Sequence, residues 1–297
     1  MSSKSFIVAW LLILLTFVDT NAQNDRMVML NVRVTDKHKR PITNISKEKF
    51  QVYEDGIAQK IDIFSGDQGP VTYGLVIDNS GSLRSQFPDV VLAGMRIVNS
   101  NTFEDQAFIV RFVGSDRLEV MQDCTSDKKL LINSLQSMYV ELGQTALIDA
   151  LYLAAERLTK LNISTDKPRR RALIVVTDGE DRQSYYKANQ LFNLLTPTDI
   201  QVFVIGLTSE VEPKNRDRAI DFINRLAMET GGRAFFPESS VELDLVSEAI
   251  INHIRTQYSI GYVPTNAPGE FHKVQISIAG LPQDESIIAI TSLGYSK

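Results

Sequence analysis

Residues 71–82 read "VTYGLVIDNSGS". An apolar run ends at Asp78, and three oxygen-bearing side chains follow at a spacing of two: Asp78, Ser80 and Ser82. Taken alone, "DNSGS" is a turn, because Asn, Ser and Gly are the residues that turns select. Taken as the exit from a buried strand, it aims a carboxylate and two hydroxyls at one point. The choice between these readings depends on what the rest of the chain places beside it.

On either side of this stretch, from about 70 to 258, apolar strands alternate with amphipathic helices. "VTYGLVID", "QAFIVRFVG", "RALIVVTD", "IQVFVIGL" and a short "RAFFP" read as strands, with "RLEVMQ" as a short edge strand. Between them, "PDVVLAGMRIVNSN", "DKKLLINSLQSM", "TALIDALYLAAERLTKL", "YKANQLFNLL", "RDRAIDFINRLAMETGG" and "SVELDLVSEAIINHIRTQ" read as helices. The first is opened by Pro88, and the fifth is stopped by Gly231-Gly232. "LIVV" and "FVIGL" are continuous rather than alternating, which suits strands covered on both faces. A βαβα order of this kind implies an α/β fold with a doubly wound, mostly parallel sheet.

The flanks are of another kind. At 23–69, "VMLNVRV" alternates apolar and polar residues, and "FQVYEDGIAQKIDIF" reads as two strands joined at Asp55-Gly56, a strong hairpin signal. At 259–297, "YSIGYVP", "FHKVQISIAG" and "SIIAITSLGY" are further strand candidates. Each flank is too small to bury a core alone. The expectation is one small β-sandwich built from both, with 70–258 inserted between them.

In an open α/β sheet, ligands bind beyond the carboxyl ends of the strands, near the switch point of the winding. Asp78 follows one strand and Asp178, in "VTDGED", follows another, so both belong to the same edge. Thr145, after "ELGQ" at the start of the long helix, belongs there too; alone it reads as an N-cap. Asp78, Ser80, Ser82, Thr145 and Asp178 supply oxygen only, with no sulfur or imidazole. Such a set suits a hard divalent cation, Mg2+ first, with Mn2+ or Ca2+ as alternatives. Two carboxylates neutralise its charge, and few direct carboxylates leave it electrophilic toward an acidic group from outside.

"DNSGS", "GQTAL" and "VTDGED" together resemble the three loops of the von Willebrand factor type A domain with its metal-ion-dependent adhesion site. That pattern is Asp-x-Ser-x-Ser, then Thr, then Asp, and all five positions match over about 71–258. The resemblance implies a Rossmann-like domain in which Ser80 and Ser82 bind the metal. Asp78, Thr145 and Asp178 then act directly or through water, and a partner's Asp or Glu completes the coordination. The stretch "LNVRVTDKHKRPITNISKEKFQVYEDGIAQKI" and the later "QYSIGYVP" are similar to the flanks of a group of secreted bacterial proteins with such domains. The chain departs from that group in having Lys49-Phe50 for Asp-Phe, and its end, "TSLGYSK", lacks an Arg-Gly-Tyr.

Composition narrows the alternatives. The chain has 297 residues and a net charge of −5, without the basic stripe that nucleic-acid binding requires. The one basic cluster, "KPRRR" at 167–171, reads as a solvated loop. Lys4, the apolar run "FIVAWLLILLTFV" and Ala22 read as a cleaved signal peptide, 1–22, too short for a comfortable membrane span. The expected location is therefore secreted or periplasmic, with no membrane span after cleavage. Cys124 has no partner for a disulfide, and His38, His253 and His272 lack metal-ligand spacing, against a zinc hydrolase. The two "NIS" triplets, at Asn44 and Asn162, are read as chance matches to the glycosylation pattern.

The leading expectation is thus a non-enzymatic, metal-dependent protein-binding module for adhesion or scaffolding. The alternative is a haloacid-dehalogenase-type phosphatase, which also places an Asp after its first strand. That chemistry needs a second Asp two residues on, where this chain has Ser80.

Overall fold

The computed structural model describes residues 27–36, 41–66, 69–161, 169–265, 271–280 and 294–296. The expected signal peptide, the Asn162 triplet and most of "SIIAITSLGY" lie outside the described residues.

The 71–78 stretch is strand β5 (Val71–Asp78), preceded by β1 (Val28–Val32), β2 (Phe50–Glu54), β3 (Ile57–Gln59) and β4 (Ile63–Ser65). After it come helix α1 (Phe87–Asn99), β6 (Gln106–Phe112), β7 (Leu118–Thr125), α2 (Lys128–Gln136), α3 (Leu147–Lys160) and β8 (Arg170–Thr177). The chain continues through α4 (Ala188–Leu195), β9 (Ile200–Gly206), α5 (Pro213–Glu229), β10 (Arg233–Phe235), α6 (Ser240–Arg255), β11 (Tyr258–Tyr262), β12 (Phe271–Ile278) and β13 (Gly294–Ser296).

The central sheet has the order β10-β9-β8-β5-β6-β7. All its pairings are parallel except β6 with β7. The edge strand β7 runs to eight residues, longer than the "RLEVMQ" expectation. From β5 the winding goes outward through β6 and β7, then returns to β8 on the other side, so the switch point lies between β5 and β8.

Every residue of β5 is buried, because helices cover both faces. Leu75 and Ile77 face one core with α1, α2 and α6; Val76 faces the other with α3, α4 and α5. Alternate residues of a strand point to opposite faces, so covering both removes any polar periodicity. Each of these aliphatic side chains, fully withdrawn from water, contributes about 1.5–3 kcal/mol before entropy is counted.

The flanks form two further sheets, β1-β11-β4 and β13-β12-β2-β3. β11 pairs antiparallel with β1, Leu30 opposite Ile260, and β12 with β2, Ile276 opposite Val52. The sheets share an apolar core of residues that include Leu30, Val52, Ile260 and Val274. The β2–β3 turn holds Asp55 at φ 48° and Gly56 at φ 83°, the paired positive values of the hairpin that Asp-Gly favours.

The "KPRRR" cluster departs from its expected solvated state. Lys167 and Pro168 are outside the described residues, but Arg170 is fully buried within β8. Its guanidinium donates to the carbonyls of Gly69 (3.0 Å), Gly66 (2.8 Å) and Gln257 (2.5 Å). It thereby ties both chain crossings between the central sheet and the flanking sheets. Arg171 pairs with Asp199, and Arg169 donates to Thr72 and to the Glu104 carbonyl. A run of arginines at a strand entry is tied here to carbonyls, a hydroxyl and a carboxylate rather than left to water.

Candidate metal centre

The parallel register sets Ile77 beside Val176, so β5 and β8 end together. Asp78 is the last residue of β5 and is completely buried. One carboxylate oxygen, Oδ1, accepts the Ser80 amide at 3.0 Å, and Oδ2 accepts the Thr177 hydroxyl at 3.0 Å. The "DNSGS" loop then makes a single tight turn, Gly81–Leu83, anchored by buried Leu83. Ser80 and Ser82 hydroxyls meet at 3.0 Å, and Ser82 donates to Asp178 Oδ2 at 2.7 Å. Asp178 Oδ1 accepts the Glu180 amide at 2.9 Å. Four of the five residues expected from sequence are therefore linked across the switch point by hydrogen bonds.

Thr145 is buried on the adjoining loop, and its carbonyl accepts the amides of Arg182 (2.9 Å) and Gln183 (3.2 Å). It does not act as an N-cap. Helix α3 begins two residues later, and the capping position belongs to Ala146, which offers no side-chain acceptor.

Other residues, not signalled by the sequence pattern, hold the loops in place. Asn79 donates from its side chain to the Tyr139 carbonyl (2.8 Å) and accepts the Glu141 amide (2.9 Å), which joins the first loop to the second. Asp149, buried in the first turn of α3, accepts the amides of Tyr185 and Tyr186, each at 2.9 Å, which fixes the segment after "DGED". Asp181 Oδ1 accepts the Ile148 amide at 3.1 Å. A carboxylate near a helix start is a faint signal, since it is also an ordinary dipole partner. Gly179 has φ 82°, and an added Cβ there would come within 2.7 Å of Ile223. The "DGED" turn thus requires glycine on two counts.

Burial, and then the neighbouring charge of Asp178, push the Asp78 carboxyl up to about 7. Burial also raises Asp178, against the opposing donation from Ser82. Two carboxyls facing one another without a cation resist joint ionisation. Among the described residues there is no cluster of three or more His, Cys, Asp or Glu suited to a metal. The donors brought together here are two carboxylates and two hydroxyls, those of Asp78, Asp178, Ser80 and Ser82, a composition that fits a hard, oxygen-seeking divalent cation and would let both carboxylates ionise.

Residues 74–249 match the family model described as von Willebrand factor type A domain. A von Willebrand factor type A structure from Catenulispora acidiphila is 12% identical, with 92% of this chain and 74% of that chain aligned at a TM-score of 0.51. Proximal thread matrix protein 1 from the mussel byssus is 18% identical, covering 68% of this chain and 51% of that one, at a TM-score of 0.50. An aerotolerance-related membrane protein from Bacteroides fragilis, crystallised with multiple mutations to serines, is 22% identical; 62% of this chain and 98% of that chain align, at a TM-score of 0.49. No curated protein sequence matches this one.

Proposed function

The chain belongs to the von Willebrand factor type A domain family, and from that premise we propose that it is a secreted or periplasmic protein-binding module that offers a divalent cation to an acidic residue of a partner. Asp78, Ser80, Ser82, Thr145 and Asp178 are the residues that would hold the cation, with Mg2+ ahead of Mn2+ and Ca2+. When bound, the metal supplies an electrophilic position for a carboxylate from outside. The observation that carries this reading is the run of hydrogen bonds from Ser80 through Ser82 to Asp178 at the mouth of the β5–β8 switch point, beside buried Asp78.

A binder is favoured over a hydrolase on the chemistry of these residues. Among the described residues no histidine hydrogen-bonds Ser80 or Ser82, so the Ser–His pair of a nucleophilic hydrolase is not formed there. His253 is engaged by Arg33 and His272 by Asp55, both away from the site. The residue two beyond Asp78 is Ser80, so the general acid of a dehalogenase-type phosphatase is missing. Export rests on the segment 1–22, and no described helix is long and apolar enough to cross a membrane.

The test is capture of proteins from the native host by the immobilised chain, with Mg2+ or with EDTA, comparing wild type and Asp78→Ala. The expected result is a protein retained in Mg2+, released by EDTA and absent from the variant. Retention that ignores both EDTA and the substitution overturns the proposal.

A further inference from the structure

Beside the candidate metal centre lies a cleft of about 270 Å³ between the "DGED" turn and helices α3, α4 and α5. Gly179, the residue after Asp178, lines it, so the cleft begins one residue along the chain from the site. Ile148, Ala219 and Phe222 give it apolar walls. Four charged side chains also line it, Glu180, Asp181, Arg182 and Arg218, and their formal charges cancel. Their engagement differs, however. Glu180 accepts Asn215 Nδ2 at 2.9 Å on one oxygen and is paired with Arg182 on the other. Asp181 Oδ1 is turned to the start of α3, where it accepts the Ile148 amide and the Ser184 hydroxyl. Arg218, exposed on α5, forms no hydrogen bond or ion pair among the described residues. The cleft therefore presents one uncommitted guanidinium over apolar walls, next to the place where a partner's carboxylate would meet the metal.

Resting on the binding function proposed above, we propose that this cleft receives a second acidic side chain of the same partner segment. The chain would then recognise a peptide with two carboxylates, one for the cation and one for Arg218. A planar guanidinium pairs with a carboxylate in a bidentate manner, and partial exclusion of water by the apolar walls strengthens the contact. The methylenes of a glutamate suit those walls. Arg218 is in this account a determinant of partner choice, separate from the residues that hold the cation.

The experiment selects displayed random linear peptides on the full chain in Mg2+, with elution by EDTA, for wild type, Arg218→Glu and Arg218→Lys. Arg218 is exposed, so neither substitution disturbs the core. Wild type and Arg218→Lys are expected to enrich peptides with two acidic residues at a fixed spacing. Arg218→Glu is expected to keep one acidic residue and lose the second. A selected two-acid peptide, measured by fluorescence polarisation, should bind Arg218→Glu about three- to tenfold more weakly, with its Mg2+ dependence intact. EDTA-eluted peptides with a single acidic residue, or with an apolar residue at the second position regardless of Arg218, overturn this inference and leave the metal reading standing. Self-association of the chain that occludes the cleft also overturns it. Failure of wild type to yield any acidic, EDTA-eluted peptide overturns both.

Discussion

Asp78 and Asp105 stand at opposite ends of β5, and both side chains are completely buried. Their surroundings differ. Asp105, just before β6, accepts two guanidinium nitrogens of Arg255 (3.1 and 2.5 Å), the Val71 amide at the start of β5 (2.9 Å) and the Thr102 hydroxyl (2.9 Å). Burial works to raise its pKa, yet Arg255 and the backbone donors outweigh it and hold the carboxyl below its ordinary value. Asp78 has only neutral donors, Ser80 and Thr177, and faces a second carboxylate, so burial prevails and its pKa rises to about 7. One end of the strand carries a carboxylate whose charge is fully answered by protein. The other carries a carboxylate met only by neutral donors. A buried carboxyl raised in this way is a candidate for a site, whereas a completed ion pair is a fastening.

Removing the answer at the fastened end should have the largest effect. Arg255→Ala leaves Asp105 buried without its cation, and unfolding by urea should show a loss of about 3 kcal/mol. A loss below about 1 kcal/mol would mean that the two ends are less different than their geometry implies. The pH dependence sharpens the contrast. In EDTA, a carboxyl raised in the folded state favours folding while protonated, and that contribution is lost as pH rises from about 4 toward about 7. Asp78→Asn, nearly isosteric and always neutral, should therefore be more stable than wild type at pH 8 by on the order of 1 kcal/mol and equal to it near pH 4. Asp105→Asn should behave in the opposite sense, since a lowered carboxyl stabilises above its unfolded pKa and loses that contribution only as pH falls through its folded value. Equal responses at the two ends, followed by thermal unfolding across pH, would remove the distinction. The smallest effect is expected from Ser82→Ala, which deletes one exposed-edge hydrogen bond to Asp178 and should cost about 1 kcal/mol or less in EDTA. Its larger consequence should be weaker Mg2+ binding, read by calorimetry.

The site end of this comparison was legible in the sequence and the fastened end was not. The loops that carry Asp78, Ser80, Ser82 and Asp178 each follow a largely apolar strand, and a doubly wound sheet brings the ends of such strands together, so local pattern plus topology predicts their meeting. The pairing of Arg255 with Asp105 spans 150 residues and leaves no periodic trace, and the same holds for Arg170 and the carbonyls of Gly66, Gly69 and Gln257. Arginines drawn together in sequence read as solvent-facing, although a buried guanidinium with enough carbonyl acceptors is stable. For Thr145 the alternative reading as an N-cap fails, because the chain reaches helical geometry only after Ala146, at φ −119° and ψ 65°. Asp149 was read only as part of a helix. Its grip on the Tyr185 and Tyr186 amides depends on how a loop folds back, which helical periodicity does not encode.

The central claim is that the open end of β5 is completed by a divalent cation. Thermal unfolding of wild type and Asp78→Ala, each in EDTA and in saturating Mg2+, tests it most directly. A ligand at about a hundredfold over its Kd stabilises by about 2.7 kcal/mol, so wild type should gain roughly 5–10 °C in Tm with Mg2+ while Asp78→Ala gains nothing. An equal gain in both proteins, or none in wild type at any concentration of Mg2+, Mn2+ or Ca2+, would contradict the account.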